Sequence, residues 1–173
     1  MKAKTASQSV ATATHIVLPD DTNTLGNLMG GRLMYWMDVI AAVAAHRHCG
    51  RVVVTASVNY ISFNQPIGLG DFVTLEAKIS RAFGSSMEVF IDVWVEDHKT
   101  TKKVKCNEAI FTFVAVDQIG NTIEVPELIP ESDVEKQRYD AALRRRQLSL
   151  ILAGRMKPKD ATELKAIFED LSE

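Results

Sequence analysis

Residues 30 to about 46 constrain the fold more than any other part of the sequence. Their apolar side chains recur at steps of three and four residues, and no proline interrupts them, which is typical of an α-helix. The apolar positions include Leu33, Met34, Met37, Ile40, Ala41, Ala44 and Ala45. A helix that is apolar on most sides must be covered on most sides, so a chain of 173 residues is expected to wrap a sheet around it.

Four candidate strands follow this helix, and no second helix separates them. They are predicted over residues 52–63, 73–79, 87–95 and 104–117. In the first three, apolar and polar residues alternate with the period of two that is typical of a sheet. A hairpin turn at residues 83–86 and a short strand at residues 14–18 complete the pattern. This order predicts an α+β fold with one strand, a long helix and then an antiparallel meander.

The C-terminal part of the sequence is predicted to be helical. Ser132 or Asp133 is a suitable N-cap, and Glu135 stands in a capping position for a helix from 134 to about 152. A break at residues 154–158 precedes a weakly amphipathic helix at residues 161–171. We therefore predict a disordered or frayed N-terminus over residues 1–11, a main domain over residues 12–153 and a short helical tail over residues 154–173.

Composition excludes several classes of protein. A formal net charge of −2 gives no general attraction to nucleic acid. The sequence has no run of about 18 apolar residues, and its first ten residues are too polar for a signal peptide, so we expect a cytoplasmic protein without membrane insertion. Cys49 and Cys106 lie far apart, and we expect reduced, packed thiols rather than a disulfide or a zinc site.

The loop before the central helix carries the candidate site. Residues 19–29 are polar and turn-forming, and they lead into Gly30 and Gly31. A helix N-terminus has unpaired N–H groups and a partial positive charge, and glycine lets a substrate approach that backbone, so this helix start could stabilise an oxyanion. Asp38 follows about two turns later, and a carboxylate among large apolar side chains needs either a partner or a function.

Several strings of residues resemble one family of enzymes. They are Asp21-Thr22-Asn23-x-x-Gly26-x-x-x-Gly30-Gly31, Met37-Asp38, Val54-Thr55-Ala56-Ser57-Val58, Phe63-x-x-Pro66-Ile67-x-x-Gly70-Asp71, Ser85-Ser86-Met87-Glu88-Val89 and Val125-Pro126-x-Leu128-x-Pro130-Glu131. In this order, over roughly residues 12–150, they resemble the bacterial and animal acyl-CoA thioesterases of the hotdog fold. In that fold an antiparallel sheet wraps a single central helix.

The resemblance implies hydrolysis of acyl-CoA to coenzyme A and a carboxylic acid. It assigns catalysis to Asn23 and Asp38 from opposite subunits of a homodimer, with Asp38 as a general base or as a nucleophile that forms a mixed anhydride. The helix rise agrees with a shared site, because about 10 Å separates Asp38 from the helix start and one carbonyl group can hardly reach both. The family further implies a trimer of dimers and a reaction without a metal or redox cofactor.

Binding of coenzyme A is predicted at the second hairpin turn. In the family this turn lies along the coenzyme A entrance, which implies contacts from Gly84, Ser85 and Ser86. Arg81 and Arg144 are candidates to approach the phosphates. The two serines have an alternative interpretation as plain turn residues, and residues 144–146 one as a solvated helix face.

The individual site residues also have structural interpretations. Asp38 could pair with an arginine, Asn23 could be an Asx-turn residue, and the two glycines could be a plain joint between loop and helix. His46-x-His48-Cys49 at the end of the helix has ligand atoms, but it favours histidines near the helix dipole over zinc.

Two other functions are compatible with a hotdog core. A hydratase acting on acyl thioesters needs an Asp with a His five residues later, whereas Asp20 and Asp21 are followed at that distance by Leu25 and Gly26. A non-catalytic acyl-CoA sensor needs a DNA-binding or regulatory segment, and we expect none in the first ten residues or in residues 157–173.

Overall fold

One long helix packs against a five-stranded antiparallel sheet in an α+β arrangement. The structure is a computed structural model that describes residues 1–63 and 65–169. The strands are β1 Lys4–Thr5, β2 Ala11–Ile16, β3 Val52–Ile61, β4 Phe72–Phe83, β5 Ser86–Glu96, β6 Lys103–Val116 and β7 Leu128–Ile129. The helices are α1 Gly30–Cys49, α2 Asp133–Leu152 and α3 Thr162–Glu169. Within the described ranges, no helix is both long and apolar enough to cross a membrane.

The strand order of the main sheet is β2-β4-β5-β6-β3, and every neighbouring pair is antiparallel. The predicted meander is therefore correct for β4, β5 and β6 but wrong for β3, which pairs with β6 at the opposite edge. Residues 62–71 connect β3 to β4, and this link is longer than the two to five residues typical of a hairpin. The long link lets the chain cross to the other side of the sheet.

Helix α1 contacts all five strands of this sheet and forms the centre of the core. Its inner face is almost completely buried through Leu33, Met37, Ala41, Ala44 and Ala45. The sequence predicted that the sheet would cover α1 on most sides. The structure shows this only in part, because another face of α1 and most of β3 are exposed. The exposed apolar side chains there are Met34, Tyr35, Val39, Val43, Val52, Val54, Val58 and Tyr60.

The N-terminus differs from its predicted frayed state. Lys4–Thr5 pairs in parallel with Leu128–Ile129, Ala6 and Ser9 are fully buried, and β2 already begins at Ala11. Small polar residues are typical of a disordered end, but they also fit a close approach between chain segments. The partner of this segment lies at the far end of the same compact unit, which a local sequence pattern cannot indicate.

The C-terminal region begins at the predicted cap. The Ser132 hydroxyl accepts a hydrogen bond from the Glu135 N–H, and the Glu135 carboxylate accepts one from the Ser132 N–H, which confirms the capping box. The structure divides into two compact units between residues 129 and 130. Helix α2 therefore groups with α3, whereas the sequence placed the boundary after residue 153. The predicted end of the last helix, Leu171, lies outside the described residues.

The end of α1 explains the cluster of His46, His48 and Cys49. Nδ1 of His46 donates to the carbonyl oxygen of Arg51 at 2.8 Å, and Nε2 of His48 donates to the carbonyl oxygen of Pro126 at 2.9 Å. His48 is fully buried, and this burial lowers its pKa. Cys49 and Cys106 are buried free thiols, as predicted. The two histidines thus stabilise the end of α1 through backbone carbonyls.

Buried His48 is expected to make the protein less stable in mild acid. Its folded-state pKa lies below the ordinary value of 6.5, so the unfolded chain gains a proton first as the pH falls below that value. The free energy of unfolding should therefore decrease below about pH 6.5 and be unaffected by this group above it. Urea denaturation of the wild type and of His48→Gln, which keeps a donor but cannot titrate, should show a smaller pH dependence for the variant. Equal slopes would contradict this role.

Candidate functional site

Asp21 holds the loop before α1 against the first turn of the helix. Its carboxylate lies 2.9 Å from Nε of Arg32 and accepts a hydrogen bond from the N–H of Leu18 at 3.0 Å. Its carbonyl oxygen accepts a hydrogen bond from the N–H of Met29 at 2.8 Å. These contacts fix both ends of the loop, so the residues between them have defined positions relative to the helix start.

Asn23 has the structural role that the sequence offered as one of two interpretations. Its Oδ1 accepts hydrogen bonds from the N–H groups of Leu25 at 2.9 Å and Asn27 at 3.2 Å, as expected of an Asx-turn residue. The side-chain oxygen is therefore used to shape the loop. The NH2 group is a donor by chemistry, and it is the part of this side chain that can act on a substrate.

The start of α1 provides backbone donors. The N–H groups of Arg32 and Leu33 both bond to the carbonyl oxygen of Met29, and the N–H groups of Gly30 and Gly31 precede them at the positive end of the helix. A Cβ atom on Gly30 would lie 3.3 Å from the ring of Phe63, whereas one on Gly31 would meet no described atom within 4 Å. A side chain at position 30 would therefore press against this ring.

A cavity of about 350 Å³ lies at the start of α1. It is lined by Asn23, Asn27, Leu28, Gly30, Leu33, Phe63, Gln65, Pro66, Ile67 and Asn107. The structure thus brings two of the predicted site residues, Asn23 and Gly30, to one cavity, but Gly31 and Asp38 do not line it. Asn107, from the first half of β6, is a lining residue that sequence reasoning missed.

Asp38 lies on a different part of α1 and has an unexpected partner. It is half-buried, and its Oδ1 accepts a hydrogen bond from the hydroxyl group of Thr55 on β3 at 2.7 Å. The sequence led us to expect a carboxylate among apolar side chains, with an arginine as one candidate partner. The partner here is instead a neutral hydroxyl on the edge strand of the sheet. The neighbouring Tyr35 and Val39 are exposed, so this carboxylate stands on an open apolar surface.

The β4–β5 turn places the predicted coenzyme A residues next to one another. Gly84 is exposed with φ +57, whereas Ser86 is buried and its hydroxyl donates to the carbonyl oxygen of Phe83. This favours the turn interpretation for Ser86. The Arg81 guanidinium lies 5.5 Å from the centroid of the Phe83 ring, close to the turn. Gly84, Ser85 and Arg81 remain predicted contacts of the coenzyme A moiety.

Arg144 belongs to α2, in the second compact unit, and its side chain is half-buried. The three arginines at residues 144–146 precede the last turn of α2, which holds no basic residue. They therefore do not occupy the position where a helix dipole favours positive charge most. A contact from Arg144 to coenzyme A stays a prediction.

A long helix wrapped by an antiparallel sheet, with a cavity at the helix N-terminus, defines the hotdog fold of thioesterases. The sequence profile of the thioesterase superfamily matches residues 25–102. The uncharacterized acyl-CoA thioester hydrolase YkhA of Bacillus subtilis is 39% identical over 138 residues, which cover 80% of each chain. The residues that the profile matches include Gly30, Gly31 and Asp38, whereas Asn23 lies just before them.

Solved structures show the same family. The acyl-CoA hydrolase of Staphylococcus aureus, solved with butyryl coenzyme A, coenzyme A and coenzyme A disulfide, is 37% identical with a TM-score of 0.80 and covers 99% of both chains. Its variants with one aspartate, one asparagine or one threonine replaced by alanine each have a TM-score of 0.81. An apo-hexameric acyl-CoA thioesterase is 33% identical with a TM-score of 0.85, covering 88% of this chain and 98% of that one. The chain belongs to the acyl-CoA thioester hydrolases of the thioesterase superfamily.

Proposed function

We propose that the protein hydrolyses acyl-CoA to coenzyme A and a carboxylic acid at a site shared by two subunits. The observation that carries this proposal is the separation of the groups that thioester hydrolysis needs. Asn23 and Gly30 face one cavity at the start of α1, whereas Asp38 stands about two turns further along the helix on an open surface. A second copy of the chain can bring the missing carboxylate to the cavity.

The proposed chemistry follows from the donors and acceptors in each half. The N–H of Gly30 and the NH2 of Asn23 stabilise the negative charge that develops on the thioester oxygen. Asp38 of the other subunit either takes a proton from the attacking water or attacks the carbonyl carbon itself, forming a mixed anhydride that water then hydrolyses. In both routes the C–S bond breaks and coenzyme A leaves as the thiol. Thr55 orients the carboxylate through its hydroxyl group.

The S. aureus variants support these assignments. The aspartate, asparagine and threonine replaced in that hydrolase are separated along its chain by the same intervals as Asp38, Asn23 and Thr55 here. The sequence reading selected the first two residues and gave Thr55 no role. The 2.7 Å hydrogen bond between Thr55 and Asp38 supplies a physical reason for including it.

The exposed surface supports a homodimer. Among the described strands, β3 is an edge of the main sheet with exposed apolar side chains such as Val54 and Val58, and it adjoins the exposed face of α1 around Asp38. Open strand edges and contiguous apolar patches are features that oligomerisation covers. The hexameric relative is in keeping with the trimer of dimers that we propose for this chain.

Coenzyme A is proposed to place its phosphates near Arg81 at the β4–β5 turn. Charge reversal by Arg81→Glu should raise KM for acyl-CoA by roughly tenfold or more, because a charge-assisted phosphate contact is replaced by repulsion. KM for a pantetheine thioester without the nucleotide should change little. The matched control is Lys78→Glu, the same charge change three residues earlier on β4. Equal effects of Arg81→Glu on both substrates would place the nucleotide elsewhere.

A hydrolysis screen over acyl-CoA chain lengths, with detection of the released thiol, tests the proposed function. We expect turnover on at least part of the series. Binding of acyl-CoA without any turnover would favour the sensor, and hydration of an enoyl-CoA without thiol release would favour the hydratase. The proposed reaction needs only water as co-reactant, and we therefore predict that the purified protein is active without a metal or redox cofactor. A cytoplasmic location is a separate prediction, which a localisation experiment would test.

A further inference from the structure

Asn107 is a buried polar residue that the proposed reaction does not use. It is 3% exposed, and its Oδ1 is buried without a hydrogen-bond partner among the described residues. Native proteins rarely leave a buried polar atom unpaired, and such an atom in a cavity indicates an absent ligand or water. Asn107 lines the cavity that Asn23 and Gly30 share, and it also lines a smaller cavity of about 190 Å³ beside Lys105 and Glu108.

The position of Asn107 on its strand strengthens this observation. Every second residue of β6 after Asn107 is apolar and buried in the core: Ala109, Phe111, Phe113 and Ala115. Asn107 is thus a carboxamide at a position where the pattern calls for an apolar residue. A register shift between β5 and β6 skips Cys106 and pairs Asn107 with Val93. Bulges of this kind redirect side chains and are frequent beside functional sites.

The lining of the cavity narrows the chemistry of its ligand. Among the described residues that form it, none is charged, while several are carboxamides (Asn23, Asn27, Gln65 and Asn107) and the others are apolar or glycine. The diphosphate and nucleotide of an acyl-CoA are charged, and its acyl chain offers no hydrogen bonds. Only the pantetheine arm is neutral, partly apolar and rich in secondary amides. A volume of about 350 Å³ suits one segment of such a molecule.

We infer that Asn107 is a specificity-determining residue that accepts a hydrogen bond from the pantetheine amide nearest the thioester sulfur. This inference depends on the proposed function. Because the unpaired atom of Asn107 is an oxygen, its ligand must be a donor, and the thioester group itself has none. A two-carbon link separates the sulfur from that amide N–H. A thioester held by Asn23 and Gly30 therefore keeps the amide close to the same cavity.

Two substrates test the inference on the unmodified protein. One is an acyl-pantetheine, and the other is its analogue with an ester oxygen in place of the amide N–H nearest the sulfur. The wild type should hydrolyse the thioester of the amide-containing substrate with a kcat/KM at least about tenfold higher than that of the ester-containing analogue. The reason is that a site built around a buried hydrogen bond rejects a ligand that lacks the donor. Equal values for both substrates would overturn the inference.

Asn107→Leu should remove this preference without loss of stability. Leucine has the same branched shape, its larger side chain can extend into the adjoining cavity, and it leaves no polar atom unpaired, so the Tm should stay the same or rise. The preference should fall below about twofold, through a higher KM for the amide substrate rather than a lower kcat. Gln65→Leu is the matched control: it removes an exposed carboxamide from the same cavity and should leave the preference unchanged.

The other outcomes contradict the inference in distinct ways. A drop in kcat of equal size on both substrates would show that Asn107 acts on the attacking water instead. A lower Tm, confirmed with Asn107→Val because valine is closer to asparagine in size and neither overfills nor empties the site, would show that the carboxamide has a structural partner. Failure of the wild type to hydrolyse any acyl-CoA would contradict the proposed function itself, whereas hydrolysis without the substrate preference contradicts only the role of Asn107.

Discussion

Asp38→Asn should lower kcat at least about a hundredfold while the protein stays folded and assembled. The amide keeps the shape of the carboxylate, and its oxygen can still accept the hydrogen bond that Thr55 donates at 2.7 Å. It can neither take a proton from water nor act as a nucleophile, and positioned acid–base groups typically contribute at least this factor. Steady-state kinetics on a favoured acyl-CoA, together with thermal unfolding of both proteins, measures the effect.

Two comparisons separate a catalytic role of Asp38 from a general effect of charge. Asp20→Asn makes the same change at an exposed position in the neighbouring loop and should leave kcat close to that of the wild type. Thr55→Val removes the hydroxyl that orients Asp38 and should lower kcat by a smaller factor, roughly tenfold, since the carboxylate itself remains. If Asp38→Asn retained more than half of the wild-type activity, Asp38 would be structural and the proposed mechanism wrong.

The elements that the sequence predicted well are those with a local signal. Helix α1 begins at Gly30 as its periodicity indicates, and the capping box at Ser132 fixes the start of α2. Strands β4 and β5 follow from alternation and from the tight turn between them. In each case the residues that determine the structure are close together along the chain, so the pattern contains the information.

The features that the sequence did not predict depend on distant partners. Lys4–Thr5 is ordered by Leu128–Ile129, and β3 is placed at the sheet edge by its pairing with β6. Asn107 was missed because one polar residue in a buried strand gives no periodic signal. Asn107 is a polar residue among apolar residues at alternate positions of the strand, and this was visible in the sequence. It becomes informative only because the structure shows that Asn107 lines the cavity.

The residues of the candidate site also differ in whether their neighbours are close in sequence or distant. Asn23 and Gly30 belong to one loop and the helix that follows it, and both line the same cavity, although the sequence assigned Asn23 to the site only through the resemblance. Asp38 was recognised by resemblance, and its partner Thr55 lies on another element of the sheet. A site that needs a second subunit cannot be completed from the spacing of one chain. A shared site therefore has to be tested by mixing subunits.

A mixture of two single variants, Asn23→Ala and Asp38→Asn, tests the shared site directly. Each parent homodimer should be nearly inactive, because every one of its sites carries a lesion. In a mixed dimer whose sites combine residues from both chains, one site carries both lesions and the other carries neither. Random reassociation at equal stoichiometry makes about half of the dimers mixed, so roughly a quarter of wild-type activity should return.

A site formed within one chain gives a different result from the same mixture. Every site would then carry one of the two lesions whichever partner it had, and no activity would return. Native mass spectrometry of subunits with distinct masses must confirm the exchange, because unmixed homodimers would also be inactive. Light scattering that showed only a 19.2 kDa species would remove the dimer altogether. Confirmed exchange without recovered activity would therefore contradict the shared site, whereas hydrolysis of acyl-CoA by the wild type would still support the thioesterase function.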